Sequence, residues 1–208
     1  MMELVYSVVL GMAAFWLGAC PFSLLLGRWL MHRDIRRYGD HNPGAYNVFR
    51  AGNARVGALA LLLDIAKGVP FVLLAHLVFK LPDPSVYAVG LCAILGHAYS
   101  PFLGFRGGKA LAVTAGVLLA QPHLDIFVVT LIFIFLAFLF NQTDAWAVMF
   151  GMMATTVYVA TSKGISWELL FMLCVLAIVA VKHFKDLKVA PKLVVKPAGW
   201  LKAGKART

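Results

Sequence analysis

Apolar residues along the chain fall in long runs, not in the alternating or one-in-three patterns of water-facing elements. Crossing the hydrocarbon of a bilayer takes roughly 17–25 predominantly apolar residues in a helix. The first run covers residues 4–26 and gives way to a polar stretch, 27–55. A second covers 56–79, interrupted by Asp64, Lys67 and Pro70, and a third covers 86–103. A short run, 110–120, barely long enough to cross, follows the polar segment 106–109. Further runs cover 124–140, 145–161 and 168–181. The pattern predicts an all-α fold, a polytopic membrane helix bundle of about seven transmembrane helices. Residues 1–185 form the bundle and 186–208 a basic tail, where Pro191, Pro197 and Gly204 discourage a long helix.

Composition agrees. The 208 residues are 62% hydrophobic and 13% charged, about half the usual globular share of charge. So apolar a chain of this size cannot hide its surface in a soluble core. Cys20, Cys92 and Cys174 lie in apolar runs without a CxxC pair and read as buried free thiols, not as metal ligands or disulfides. Leu17 to Cys20 faintly resembles a lipoprotein cleavage box. With Glu3 present, no basic leader region and Pro21 following, the segment reads as a retained span.

The net charge of +10 invites a nucleic-acid reading, so its distribution must decide. With the N-terminus outside and the C-terminus cytoplasmic, all basic residues but Lys67, Lys80 and Lys163 fall on the inner side. Glu3, Asp83, Asp125 and Glu168 then lie near the outer face. Orientation follows that asymmetry, and the charge suits anionic headgroups or anionic substrates. No nucleic-acid partner is expected.

Four polar clusters carry candidate chemistry. In the first, Asn42-Pro43-Gly44 marks a tight turn, and Asn42, Asn47 and Arg50 add donors suited to a phosphate; an ordinary interhelical loop is the other reading. In the second, Asp64 and Lys67 share a helix face within an apolar run. Each such charge costs roughly 2.5–3.5 kcal/mol on insertion scales. The pair is either functional or an ion pair that staples helices. The third runs from Gly96-His97 through Ser100 to Arg106-Gly107-Gly108-Lys109. Its two cations flank a backbone able to curl around an anion. His97 reads as a proton carrier or phosphate donor, or as a histidine hydrogen-bonded within the bundle. The fourth, Lys182-His183 with Asp186, is a snorkelling boundary in isolation, on the same side as clusters one and three.

These clusters resemble the bacterial acyl-phosphate:glycerol-3-phosphate acyltransferases, the PlsY family. The likeness covers nearly the whole chain in span order and is most specific from Gly96-His97 to Lys109. It implies a monomeric enzyme of the bacterial cytoplasmic membrane, without metal or other cofactor, among membrane lipids. Its partners would be acyl phosphate and glycerol 3-phosphate, and its products lysophosphatidic acid and phosphate. By position, Lys109, His97, Arg50 and His183 inherit catalytic roles. Asn42, Gly44, Asn47, Asp64, Lys67, Ser100, Arg106, Gly107, Gly108 and Asp186 inherit substrate-binding ones.

Some positions depart from the family pattern. Asp40 stands where serine is usual, His41 and Ala110 where glycine is, Tyr46 and Val113 where threonine is, and Asp186 where asparagine is. Asp40 adds negative charge beside a site meant for phosphates. Contact between Asp40 and Lys109 or Arg50 would favour a diverged relative that acts on another acceptor or is inactive. A small transporter is the reading from a different class, but the polar groups gather toward one face and line no path through both. No His-x-x-x-x-Asp motif occurs, and Ser23, Ser85 and Ser162 support no Ser-His-Asp triad.

Overall fold

The first apolar run does not form one continuous helix. Helix α1 (Met2–Ala19) stops before Pro21, and α2 (Phe22–Met31) resumes beyond it. Proline lacks an N–H and its ring clashes with the preceding turn. The break exposes the Cys20 carbonyl, which accepts from Lys67 Nζ at 2.9 Å. A short α3 (Ala45–Arg50) follows the polar stretch. The second run is also divided: α4 (Ala54–Ala66) ends at Lys67, α5 (Pro70–Leu73) begins on a proline, and a π turn covers Leu74–Val78. The charges of Asp64 and Lys67 thus sit at a helix end, not in an unbroken span.

The remaining helices are α6 (Asp83–Ala98), α7 (Leu111–Ala120), α8 (Leu124–Phe140), α9 (Asp144–Lys163) and α10 (Trp167–His183). This computed structural model describes residues 1–192 and is all-helical, with no β-strand element among them. Most of the expected tail, residues 193–208, lies outside the described residues. Four segments are long and apolar enough to cross a membrane: Met2–Met31, Ala54–Val78, Asp83–Leu103 and Asp144–Lys163. Helix α7 has only 10 residues. At 1.5 Å per residue it covers about 15 Å, half the hydrocarbon thickness. The loop before it folds back onto the end of α6.

Lipid offers helices no hydrophobic drive to associate, so close van der Waals packing decides which of them meet. A Cβ on Gly18 would fall 2.2 Å from the Ala93 carbonyl oxygen, and one on Gly96 2.0 Å from that of Phe15. Glycine at both places lets α1 and α6 touch backbone to backbone. The interior is filled by residues such as Val89, Val117, Phe171 and Val175, while Trp16, Ile132, Phe135 and Val181 face outward. Large apolar side chains on the outer surface are what lipid requires.

Polar groups gather at the two ends. Helix α6 runs from Asp83 to His97 and α10 from Glu168 to His183. Each pair is separated by about 21–23 Å of helix. The His97–His183 end receives Lys109.

Candidate active site

Lys109 is delivered by a loop that doubles back onto α6. Beyond α6, Gly104 adopts φ 59° and turns the chain, and Gly108 N–H donates to the His97 carbonyl at 3.0 Å. Side chains are excluded here: a Cβ on Gly107 would lie 2.0 Å from the His97 carbonyl oxygen, and one on Gly108 2.2 Å from His97 Nε2. Lys182 Nζ ties the loop to α10, donating to the carbonyls of Ala98 at 2.7 Å and Gly107 at 3.0 Å. Ala110 then enters α7 at φ 66°. That left-handed conformation costs a residue with a Cβ roughly 1–2 kcal/mol.

The ammonium of Lys109 lies between two carboxylates, Asp40 Oδ2 at 2.5 Å and Asp186 Oδ2 at 2.6 Å. Asp40 also accepts from Asn47 Nδ2 at 2.9 Å and from the Asn42 backbone N–H at 3.1 Å. The 39–44 turn is therefore organised around this carboxylate, with His41 held at φ 63°. Burial alone would raise the Asp40 pKa, but Lys109 and the two amide donors hold it below the usual range. Burial alone would lower that of Lys109, but Asp186 and Asp40 outweigh it and the pKa is raised. Asp40 and Lys109 are both charged at neutral pH.

A cleft of about 760 Å³ opens beside this triad. Asp40, Asn42, Gly44, Lys109, Asp144 and His183 border its polar end, and Leu61, Phe135, Leu139 and Val148 its apolar side. Phe135 also faces outward, so the apolar side gives onto lipid. His183 is buried, and its Nδ1 lies 2.9 Å from the Val179 carbonyl. A carbonyl only accepts, so Nδ1 carries the proton and Nε2 of the neutral ring holds the lone pair.

The floor is a buried network. Asp64 accepts from Ser23 Oγ at 2.5 Å and pairs with Lys67 Nζ at 2.7 Å, while His97 Nδ1 stands 4.0 Å from its Oδ1. Asp64 borders the cleft and Lys67 caps the Cys20 break, so the pair both staples α2 to α4 and faces the site.

Other residues expected at the site lie apart from the cleft. Ser100 donates its hydroxyl to the Ala19 carbonyl at 2.6 Å. Arg106 lines a separate groove with Asp34, Arg36 and His41. Arg50 donates to the Tyr46 hydroxyl at 2.8 and 3.2 Å and reaches the cleft through that ring. Asn47, fully buried, supports the turn from behind. Ser23, Lys182, Tyr46 and Asp144 take part without having been assigned a site role from the sequence. Only Tyr46 and Lys182 stood inside recognisable clusters, and nothing in the local sequence marks the other two.

A bundle clad in apolar side chains, with a cleft apolar on one side and charged at its end, is a membrane protein. The chain belongs to the glycerol-3-phosphate acyltransferase family, whose model matches residues 8–190. A glycerol-3-phosphate acyltransferase of Neisseria meningitidis serogroup C (strain 053442) is 40% identical over 131 residues. That match covers 62% of this chain and 66%, just under two thirds, of the relative. One from Streptococcus pyogenes serotype M5 (strain Manfredo) is 31% identical over 179 residues, covering 83% of this chain and 84% of the relative. The fold is similar to the crystal structure of PlsY (YgiH), an integral membrane glycerol 3-phosphate acyltransferase, in its glycerol 3-phosphate form. The TM-score is 0.79 at 26% identity, over 88% of this chain and 90% of that one. The lysophosphatidic acid form matches with a TM-score of 0.78 at 25% identity, over the same shares of the two chains.

Proposed function

We propose that this protein transfers a fatty acyl group from acyl phosphate to the sn-1 hydroxyl of glycerol 3-phosphate, releasing lysophosphatidic acid and phosphate. The observation that carries the reading is the cleft, with Lys109 at its charged end and a lipid-facing apolar side. It acts as a monomer in the bacterial cytoplasmic membrane, with the cleft's polar end toward the cytoplasm.

Acyl phosphate arrives activated, so transfer asks for no protein nucleophile. The acceptor oxygen attacks the acyl carbon, and the bond to the phosphate oxygen breaks with its electron pair leaving on phosphate. The hydroxyl proton passes to a phosphate oxygen or to an imidazole. Of the two imidazoles, His183 borders the cleft and has its lone pair on Nε2. The protein's main task is to hold two mutually repelling anions in line, and positioning of this kind is worth roughly 7–11 kcal/mol.

Lys109 offsets the repulsion and stabilises the leaving phosphate. Asn42 and Gly44 form the second phosphate cradle, with Asn47 supporting the turn from behind and Arg50 acting through Tyr46. Gly107 and Gly108 let the loop pack on His97 and so place Lys109 at the cleft. Asp64 and Lys67 set the floor, Ser100 anchors the loop, Arg106 raises the local potential, and Asp186 holds Lys109 before substrate arrives.

The contact of Asp40 with Lys109 favours a second reading: a diverged member whose clamp is partly neutralised and takes a less anionic acceptor. Phosphate release by the purified protein from palmitoyl phosphate, with and without glycerol 3-phosphate, separates the two. Acceptor-dependent release with lysophosphatidic acid formed supports the first reading. Folded protein inert toward glycerol 3-phosphate supports the second, and uncharged polyols are then the acceptors to screen.

A further inference from the structure

We propose a divalent metal site of the zinc class at the end of the bundle opposite Lys109, formed by Asp83, His123 and Glu168. The three residues are far apart in sequence and belong to three elements. Asp83 opens α6, His123 immediately precedes α8, and Glu168 lies in the first turn of α10. One ligand atom from each lies within 4.8 Å of the others, and His123 Nε2 is 3.0 Å from Glu168 Oε1.

A surface ion pair of His123 with Glu168 would account for two of them. It would not account for what lies beneath. Tyr87, one helical turn inward from Asp83, packs its ring 5.4 Å from that of Phe171, itself one turn inward from Glu168. Helical side chains lean toward the N-terminus of their helix, which tilts Tyr87 toward the Asp83 end of α6. Tyr87 is 3% exposed, yet the hydroxyl has no hydrogen-bond partner. Gln121, two residues before His123, is 5% exposed with both amide atoms unpartnered. Its Nε2 lies 3.4 Å from the place a Cβ on Gly90 would take, one turn below Tyr87. Buried polar groups are almost always satisfied, so three orphaned atoms under three ligand atoms mark a place built to hold something polar.

A metal with its bound water offers the Tyr87 hydroxyl a partner. The ion takes one imidazole nitrogen and two carboxylate oxygens, and its open position takes a water on the Tyr87 side. An imidazole among the ligands disfavours magnesium and calcium, which prefer oxygen throughout. The site would clamp α6, α8 and α10 on the side away from the cleft, whatever reaction the cleft performs.

The test uses tag-free, full-length protein in detergent, stripped with a chelator and then titrated with zinc chloride. Retained zinc is counted by elemental analysis and thermal unfolding is followed in parallel. One zinc per chain is expected, with Tm raised by about 5–10 °C at a hundredfold excess over Kd. His123→Ala and Glu168→Gln should each abolish the rise while keeping the metal-free Tm. Asp83→Asn, an exposed and mild change, should weaken it. No retained zinc, an equal rise in the His123→Ala and Glu168→Gln variants, or an equal rise with magnesium chloride would overturn the assignment.

Discussion

Lys109 lies between Asp40 and Asp186, and both acids stand where the family pattern has neutral polar side chains. Two departures that look unrelated in sequence thus act on one ammonium group. A phosphate entering the cleft must displace them, so Asp40→Ser should lower the KM for the phosphate substrates at little change in kcat. A large loss of activity in steady-state assays would instead give Asp40 a role of its own through Asn42 and Asn47. The pH dependence follows from the signs. The lowered Asp40 pKa contributes stability above roughly pH 4 that is lost as pH falls through its folded value. The raised Lys109 pKa contributes stability below roughly pH 10 that is lost as pH rises through its folded value. The triad stays closed between, and the KM ratio of Asp40→Ser to wild type should be flat from about pH 6 to 9 in the same assay. Lys109→Ala should leave insertion intact and reduce turnover by roughly 10²–10³-fold, the usual loss for a positioned charge stabiliser. His41 and Ala110, the two departures from glycine, both sit at positive φ, 63° and 66°. Ala110→Gly should therefore stabilise the protein by roughly 0.5–1 kcal/mol, the strain relief less the entropy glycine adds to the unfolded chain. A chemical-denaturation midpoint would register it.

At the scale of elements, the apolar runs made the all-helical membrane fold legible, because lipid imposes a length on its helices. The interruption at Pro70 was legible too, beside Asp64 and Lys67, but the break at Pro21 lies within a run read as continuous. Only the structure shows Lys67 from one break capping the Cys20 carbonyl left by the other. The candidate loop was legible through its glycines and Lys109, although it is His97 that excludes side chains at Gly107 and Gly108. Lys182 was not, because a lysine at a helix end reads as snorkelling until its two carbonyl partners are seen. The α1–α6 seam was hidden for a similar reason: small residues are common in membrane helices, and only a partner gives them meaning. Gly96→Ala would push a Cβ to 2.0 Å from the rigid Phe15 carbonyl, whereas Gly11→Ala meets only the Cys92 sulfur, at 3.3 Å. The first should cost roughly 1–3 kcal/mol, about 2–10 °C in Tm for a chain of this size, and the second much less. Equal Tm values for the two variants would mean that the helices part easily.

Across the whole molecule, polar groups occupy two poles separated by an apolar belt. Asp83, His123 and Glu168 define one, and Lys109, His183 and the arginine-rich segment around α3 define the other. The difference in basic charge between the poles is the feature that orients membrane proteins, which keep lysine and arginine on the cytoplasmic side. An acyltransferase supplied with water-soluble glycerol 3-phosphate needs its charged cleft on that same side, so electrostatics and chemistry demand one orientation. Two exposed residues at opposite poles test it. Ile165 lies in the α9–α10 turn at the acidic pole, and Phe105 in the loop before Lys109. With Cys20, Cys92 and Cys174 replaced by alanine, Ile165→Cys in intact cells should react with a membrane-impermeant maleimide. Phe105→Cys should react only after the cells are opened. The reverse pattern would put Lys109 outside, where its substrates are absent, and would remove the acyl-transfer reading along with the orientation.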